Sequence, residues 1–329
     1  MSHNKTRTQS EIVLTELAEK SKNGLEFAKR TILSENIQSK ELRDALEYYV
    51  SNWNDATHPG LFALACEAVY GDVQAAVPIQ ASVAMIAAAF DIHDDIIDKS
   101  KLKHRKLTVF GKFGEEIALL LGNAFLTGGF TLLGKSLEEP QKMTRVFEAI
   151  KQSLYELGNG HALELSLRKR ADARLEEYLE IVKMKAASIE GDIRIGAIVG
   201  GGKHEEVEAL ASYGRVLGTL AILREEFVDI FDAEELNQRA SSEYLPIPIL
   251  CALQDEASKE KIGELLGSKT ANIDSDALVD IVLKTRNVRN LKKYMENLVA
   301  EATRALSGVG ESHMRNQLKS FASSILEGL

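Results

Sequence analysis

Cysteine, proline and tryptophan are scarce in this sequence, at two, five and one among 329 residues. Cys66 and Cys251 both fall inside apolar segments, which excludes a disulfide framework and reads them as small core residues of a reducing compartment. The few prolines, with no convincing strand-like alternation, exclude a β-rich fold and leave long helices. Basic charge is not in excess either. Lys and Arg number 40 against 49 Asp and Glu, a net charge of −9, which argues against nucleic acid as the main partner. The N-terminal MSHNKTRTQSEIVLTELAEK lacks the apolar run of a signal peptide. The longest apolar run, residues 75–90, is interrupted by Pro78, Gln80 and Ser82 and is too short to span a bilayer. These absences predict a cytoplasmic protein without a stable membrane anchor, whose 45% hydrophobic residues supply ample core.

What is present is helical periodicity. Apolar positions recur at helical spacing over residues 10–33 and 39–53. Pro59 fits the first position of a helix that runs to Gly71, and another starts near Pro78. Further helices are expected over 114–135, 139–167, 175–200 and 205–232, with Gly200, Gly201 and Gly202 as a stop. Shorter helices follow from Leu245 onward. No linker, repeat or low-complexity segment interrupts this series. A single all-α domain over residues 1–329 is the parsimonious architecture.

The segment AMIAAAFDIHDDIID, from Ala84 to Asp98, begins apolar and ends in four carboxylates. On a helix Asp94 and Asp98 share a face one turn apart, with Asp91 a turn earlier on nearly the same line. Acids packed this closely raise each other's proton affinity unless a cation sits among them. Oxygen donors alone, with no Cys nearby and His93 on another face, suit Mg²⁺ better than Zn²⁺. The stem is too apolar for the surface, so the acids are expected to face a cavity. The basic stretch 99–106, with Lys103, His104 and Arg105 in it, is placed to grip a metal-bound anion.

A second acidic segment, LREEFVDIFDAEE, lies about 130 residues further on. Glu225 and Asp229 are one turn apart, Glu226 flanks them as Asp95 flanks Asp94, and Arg224 precedes them. Facing each other across a bundle, two such segments could hold several Mg²⁺ ions and through them a diphosphate. The metals would neutralise the leaving group and favour breakage of a carbon–oxygen bond.

These segments and their flanks resemble the trans-isoprenyl diphosphate synthase (polyprenyl synthetase) family over roughly residues 50–255. HDDIID at 93–98 resembles the first aspartate-rich motif, and LTVFGKFGEEIALLLGNAF at 107–125 the segment after it. YLEIVKMKAASIEGDIRIGAIVGG at 178–201 is similar to the helix carrying a diphosphate-binding lysine, here Lys185, and YGRVLGTLAILREEFVDIFD at 213–232 to the second acidic motif. The resemblance implies an isoprenoid-synthase helical bundle around a deep central cavity, usually a homodimer. It also implies Mg²⁺, about three ions with the substrate diphosphate, held by Asp94, Asp95, Asp98, Glu225, Glu226 and Asp229. Lys103, His104, Arg105, Lys185 and Arg224 would bind an allylic prenyl diphosphate, and Asp94, Asp98 and Lys185 would be catalytic.

Several positions depart from the family pattern. Where elongating enzymes carry Gly-Gly-Lys-Arg-x-Arg-Pro, residues 53–59 read WNDATHP, retaining the proline and none of the three cations. The usual Arg-Arg is Lys103-His104, a Phe-Gln is Ala221-Ile222, a Gly-Gln is Gly160-His161, and a threonine is Ala186. Charge-assisted contacts contribute about 1.5–3 kcal/mol each, so loss of three weakens a second diphosphate site severely. The sequence on its own therefore favours a terpene synthase-like enzyme that ionises one allylic diphosphate, of about fifteen to twenty carbons (C15–C20). That size reflects the room left by Ala87, Ala88 and Ala89, with Phe90 as a floor. The alternatives are a prenyltransferase, using isopentenyl diphosphate or another acceptor, and a non-catalytic modulating subunit. The undamaged Asp94-Asp95-x-x-Asp98 opposes the last.

Overall fold

A computed structural model describes residues 8–103, 105–167, 174–242, 245–267 and 274–329. The described chain is helical but for one small hairpin. In order it runs α1 (Gln9–Leu33), α2 (Lys40–Asn52), α3 (Thr57–Ala68), α4 (Val77–Ile97), β1 (Leu102–Lys103), β2 (Lys106–Leu107), α5 (Val109–Phe113), α6 (Glu115–Ser136) and α7 (Pro140–Leu167). It continues with α8 (Leu175–Lys185), α9 (Ala187–Val199), α10 (His204–Asp229), α11 (Ala233–Ser242) and α12 (Ile247–Leu253). It closes with α13 (Glu256–Gly267), α14 (Ser275–Lys284), α15 (Arg286–Ala305), a single 3₁₀ turn at Leu306–Gly308, and α16 (His313–Ser324). The residues group into two compact units, one of 1–150, 192–210 and 309–315, the other of 151–191, 211–308 and 316–329.

The first unit is built on α4. Its Ala-rich face lies close along α6, and glycine on the partner permits it. A Cβ at Gly129 would stand 2.8 Å from Ile86 Cγ1 and 3.2 Å from the Ser82 carbonyl. Helix α1 opens with a capping box between Thr8 and Glu11 and buries Val13, Leu17, Leu25, Ala28 and Ile32. Buried Gln80 of α4 donates to the carbonyls of Lys20 in α1 and Pro59 in α3, 2.8 Å each, so one amide ties three helices together. At the end of α2, Tyr49 and Trp53 pack edge-on against Phe125 of α6, at 5.1 and 5.3 Å between ring centres. Helix α6 is long and apolar enough to cross a membrane, though a third of its apolar stretch is buried within the chain.

In the second unit α15 turns Val288, Leu291, Met295, Leu298 and Ala302 inward. Buried Tyr213 of α10 donates to the Leu318 carbonyl of α16 at 2.6 Å. Gly218 of α10 brings that helix against Ala186, where a Cβ would stand 3.0 Å from the Ala186 carbonyl.

Four boundaries differ from the sequence-based expectation. The helix expected over 175–200 is two, interrupted at Ala186. The helix of the second acidic segment ends at Asp229. Helix α3 opens at Thr57, so Pro59 is its third residue, still within the turn whose N–H groups need no helical partner. Finally, the basic stretch after the first acids forms a hairpin, with Leu102 opposite Leu107 and Lys103 opposite Lys106. Its strands are two residues long and exposed on both faces, so they carry no alternation to read.

Candidate active site

The apolar stem of α4 sinks Met85, Ala88, Ala89 and Ile92 into the core of the first unit, and this fixes where the four acids emerge. Asp95 is 8% exposed, whereas Asp91, Asp94 and Asp98 are half-buried. The chain turns back at Asp98, the C-cap of α4. Thr108 then pins the returning hairpin, donating to the Ser100 carbonyl at 2.7 Å and accepting from the Gly111 N–H at 2.9 Å. Lys103 is thereby set over the acids, 2.5 Å from Asp91 and 3.9 Å from Asp95.

Burial pushes the Asp95 carboxyl up to about 7; Lys103 opposes this, and Asp91, Asp94 and Asp98 add to it. Burial also works against the charge on Lys103, but Asp91 and then Asp95 outweigh it, and the ammonium is raised. Arg105 stands exposed in the hairpin turn at φ +62. His104 lies outside the described residues.

Crowded, partly desolvated carboxylates with only oxygen donors fit a hard divalent cation such as Mg²⁺. Among the described residues no three His, Cys, Asp or Glu side chains are gathered into a ready cage. Mg²⁺ does not require one, because it is commonly held by one or two carboxylates with water and phosphate oxygens completing the shell.

Beside Asp91 and Asp95 lies a cavity of about 500 Å³. Tyr48, Tyr49, Trp53, Ala87, Ala88 and Val109 form its apolar wall, and Lys103, Lys106, His58 and Asp55 bring charge to it. Lys106 is tethered to Asn52 Oδ1 at 3.2 Å. His58 Nδ1 stands 2.5 Å from Asp192. Burial opposes the charge on His58, but Asp192 and then Asp55 outweigh it and raise the imidazole to about 10. Residues 53–59 thus bring to this cavity one histidine held cationic at neutral pH. Sequence reasoning missed this, because Asp192 is 134 residues away from His58.

In the second unit Lys185 is the last residue of α8 and donates to both oxygens of buried Glu164, 2.9 Å each. His161 Nδ1 lies 3.6 Å from the same carboxylate. Gly160 lets α7 approach, since a Cβ there would stand 3.1 Å from Lys185 Cγ. Arg224 donates to the Ile325 carbonyl at 2.9 Å and stands 3.7 Å from Glu225. Glu225 is 67% exposed along its side chain. Glu226 and Asp229 are both engaged by Arg239 of α11. Neither Glu164 nor Arg239 belongs to a recognisable spacing, and only the packed structure reveals them.

The polyprenyl synthetase family profile matches residues 39–282. A protein described as a short chain isoprenyl diphosphate synthase, from Methanothermobacter thermautotrophicus, is 26% identical over 300 residues, 89% of this chain and 92% of that one. A geranylgeranyl diphosphate synthase from Methanosarcina mazei is 29% identical over 198 residues, 60% of this chain and 61% of the relative. Among solved structures, a geranylgeranyl pyrophosphate synthetase from Pyrococcus horikoshii superposes with a TM-score of 0.83 at 24% identity, covering 97% of this chain and 99% of that one. The fold is that of the helical-bundle polyprenyl synthases, as expected. These relatives are described as synthases of prenyl diphosphates and give no support to the terpene synthase-like reading or to a degraded second site.

Proposed function

The chain belongs to the polyprenyl synthetase family, and from that premise we propose that it is a short-chain prenyltransferase, adding isopentenyl diphosphate to an allylic prenyl diphosphate. It is an enzyme of the isoprenyl diphosphate synthase class. The product would be of short-chain, up to geranylgeranyl size, as the relatives' descriptions suggest. The family match runs through residues of both compact units, which supports one catalytic domain.

The observation that carries this reading is the cavity beside the first acidic segment. The family's cations are absent at residues 53–59, yet Lys103, Lys106 and the charged His58 stand around the same space. Asp55 offsets part of that charge. What remains suits a second diphosphate gripped by ammonium and imidazolium groups, with its five-carbon tail against Tyr49, Trp53 and the alanines of α4.

Enzymes of this family act on diphosphate substrates with a divalent metal. Asp94 and Asp98, supported by Asp91, offer the oxygen donors, and a bound Mg²⁺ would neutralise charge developing on the leaving diphosphate. Lys185 would grip the departing group, with Glu164 orienting its ammonium until then. The allylic carbon–oxygen bond breaks with its electron pair leaving on the diphosphate. The isopentenyl double bond then joins the allylic carbon, and the proton whose loss restores a double bond passes to the departing diphosphate. The apolar wall excludes water that would otherwise quench the cation.

The test is selective. Lys106→Ala should raise KM for isopentenyl diphosphate about tenfold or more and leave KM for the allylic substrate within twofold. Equal effects on both substrates, or on neither, would remove Lys106 and the cavity from the second diphosphate site.

A further inference from the structure

In the second acidic segment two of the three acids that the sequence offers a metal, Glu226 and Asp229, are held by the chain itself. Glu226 is 7% exposed, and its carboxylate accepts four contacts from the chain itself. Arg239 Nη2 lies 3.0 and 3.1 Å from its two oxygens, the Ile247 N–H donates at 2.8 Å, and the Tyr178 hydroxyl at 3.4 Å. Asp229 accepts from the other arm of the same guanidinium, Arg239 Nη1, at 2.5 Å. The Arg239 side chain is 5% exposed. One planar fork therefore spans two of the three acids, and four helices (α8, α10, α11 and α12) meet at Glu226.

We propose that Arg239 is the resident cation of this segment, and that Glu226 and Asp229 are its counterions and not metal ligands. A guanidinium stays charged at any pH the protein tolerates and matches carboxylates with paired donors. A metal on Glu226 would have to displace Arg239, whose side chain is buried. It would also compete with the buried Ile247 N–H for the same carboxylate. Repulsion between Arg239 and a second cation on the same buried carboxylate is poorly screened and opposes such sharing. The first acidic segment differs at each point. Its counter-cation, Lys103, sits on an exposed hairpin with 49% of its side chain in solvent. Its flexible stem lets it withdraw when a metal arrives. The two segments are alike in spelling and unlike in chemistry: one cation is exchangeable and the other is built in. Of Glu225, Glu226 and Asp229, Glu225 is the most exposed.

This inference rests on the first segment being the metal site proposed above, but it can be measured without turnover. Full-length protein is titrated with Mn²⁺ in the presence of inorganic diphosphate, and free Mn²⁺ is read by electron paramagnetic resonance. Asp94→Asn with Asp98→Asn should weaken Mn²⁺ binding at least tenfold. Asp229→Asn, which keeps the Glu226–Arg239 pair, should leave affinity and stoichiometry within twofold of wild type. Glu226→Gln should also leave them unchanged, with a lower melting temperature; if that variant does not fold, Asp229→Asn carries the test. A tenfold loss or a missing Mn²⁺ ion in Asp229→Asn or folded Glu226→Gln would overturn the inference. So would an ion that survives removal of Asp94 and Asp98 and depends on Glu226 or Asp229. No Mn²⁺ binding by the wild type would instead refute the metal site of the first segment, leaving Glu226 and Asp229 as counterions.

Discussion

Replacing Asp95 by asparagine should stabilise the metal-free protein, by an amount that grows with pH. An ordinary aspartate carboxyl loses its proton near 3.8, whereas burial holds that of Asp95 up to about 7. Each tenfold change in proton affinity corresponds to about 1.4 kcal/mol, so the ionised form is disfavoured in the fold by about 4 kcal/mol. At 8% exposure little solvent is available to screen this. Because the folded value is raised, the unfolded chain gives up the proton first as pH rises. The penalty is absent below about pH 4, grows through neutrality and is complete above about pH 7. Asparagine removes the titration. Between pH 5 and pH 8 its advantage should widen by about 3 kcal/mol, or several degrees in melting temperature. Thermal unfolding of wild type and Asp95→Asn by circular dichroism, in chelator across that range, measures it. Excess Mg²⁺ should narrow the gap by stabilising the wild-type carboxylates. A difference that stays flat or shrinks as pH rises would refute the argument that burial of Asp95, and not its ion pair with Lys103, dominates the site.

Asp94→Asn should lower turnover at saturating Mg²⁺ by about a hundredfold or more while the melting temperature barely moves, and steady-state rates near wild type would exclude Asp94 from the metal site. Lys185→Met should raise KM for the allylic diphosphate about tenfold to a hundredfold. An unchanged KM in the folded variant would leave Lys185 as the partner of Glu164 and nothing more.

The helices were legible because their signals are local. Proline near the starts of α4 and α7, and apolar spacing along α1, mark boundaries that packing does not override. The hairpin at 102–107 was not legible, because four exposed residues held by Thr108 leave no periodic trace. The acids of the first segment were legible for the same local reason, sharing one face of α4. Their counterions were not. Lys103 was visible as part of a basic run, but its position over Asp91 follows from how the hairpin folds back. His58 reads in sequence as a lost arginine, and becomes a cation only through Asp192, far along the chain. Arg239 lies in a stretch with no motif, yet it decides what Glu226 and Asp229 can do. His58 meets Asp192 across 134 residues, while Lys103 and Arg239 fold back onto acids 10 to 13 residues away in a neighbouring element, and spacing along one helix reports neither kind of pair.

The most direct test of prenyl transfer is mass spectrometry of the products formed from geranyl or farnesyl diphosphate and Mg²⁺, with and without isopentenyl diphosphate. The account predicts a prenyl diphosphate lengthened by one or more five-carbon units, formed only when isopentenyl diphosphate is present. Release of diphosphate with a hydrocarbon or alcohol as the sole product, at the same rate in both reactions, would contradict it.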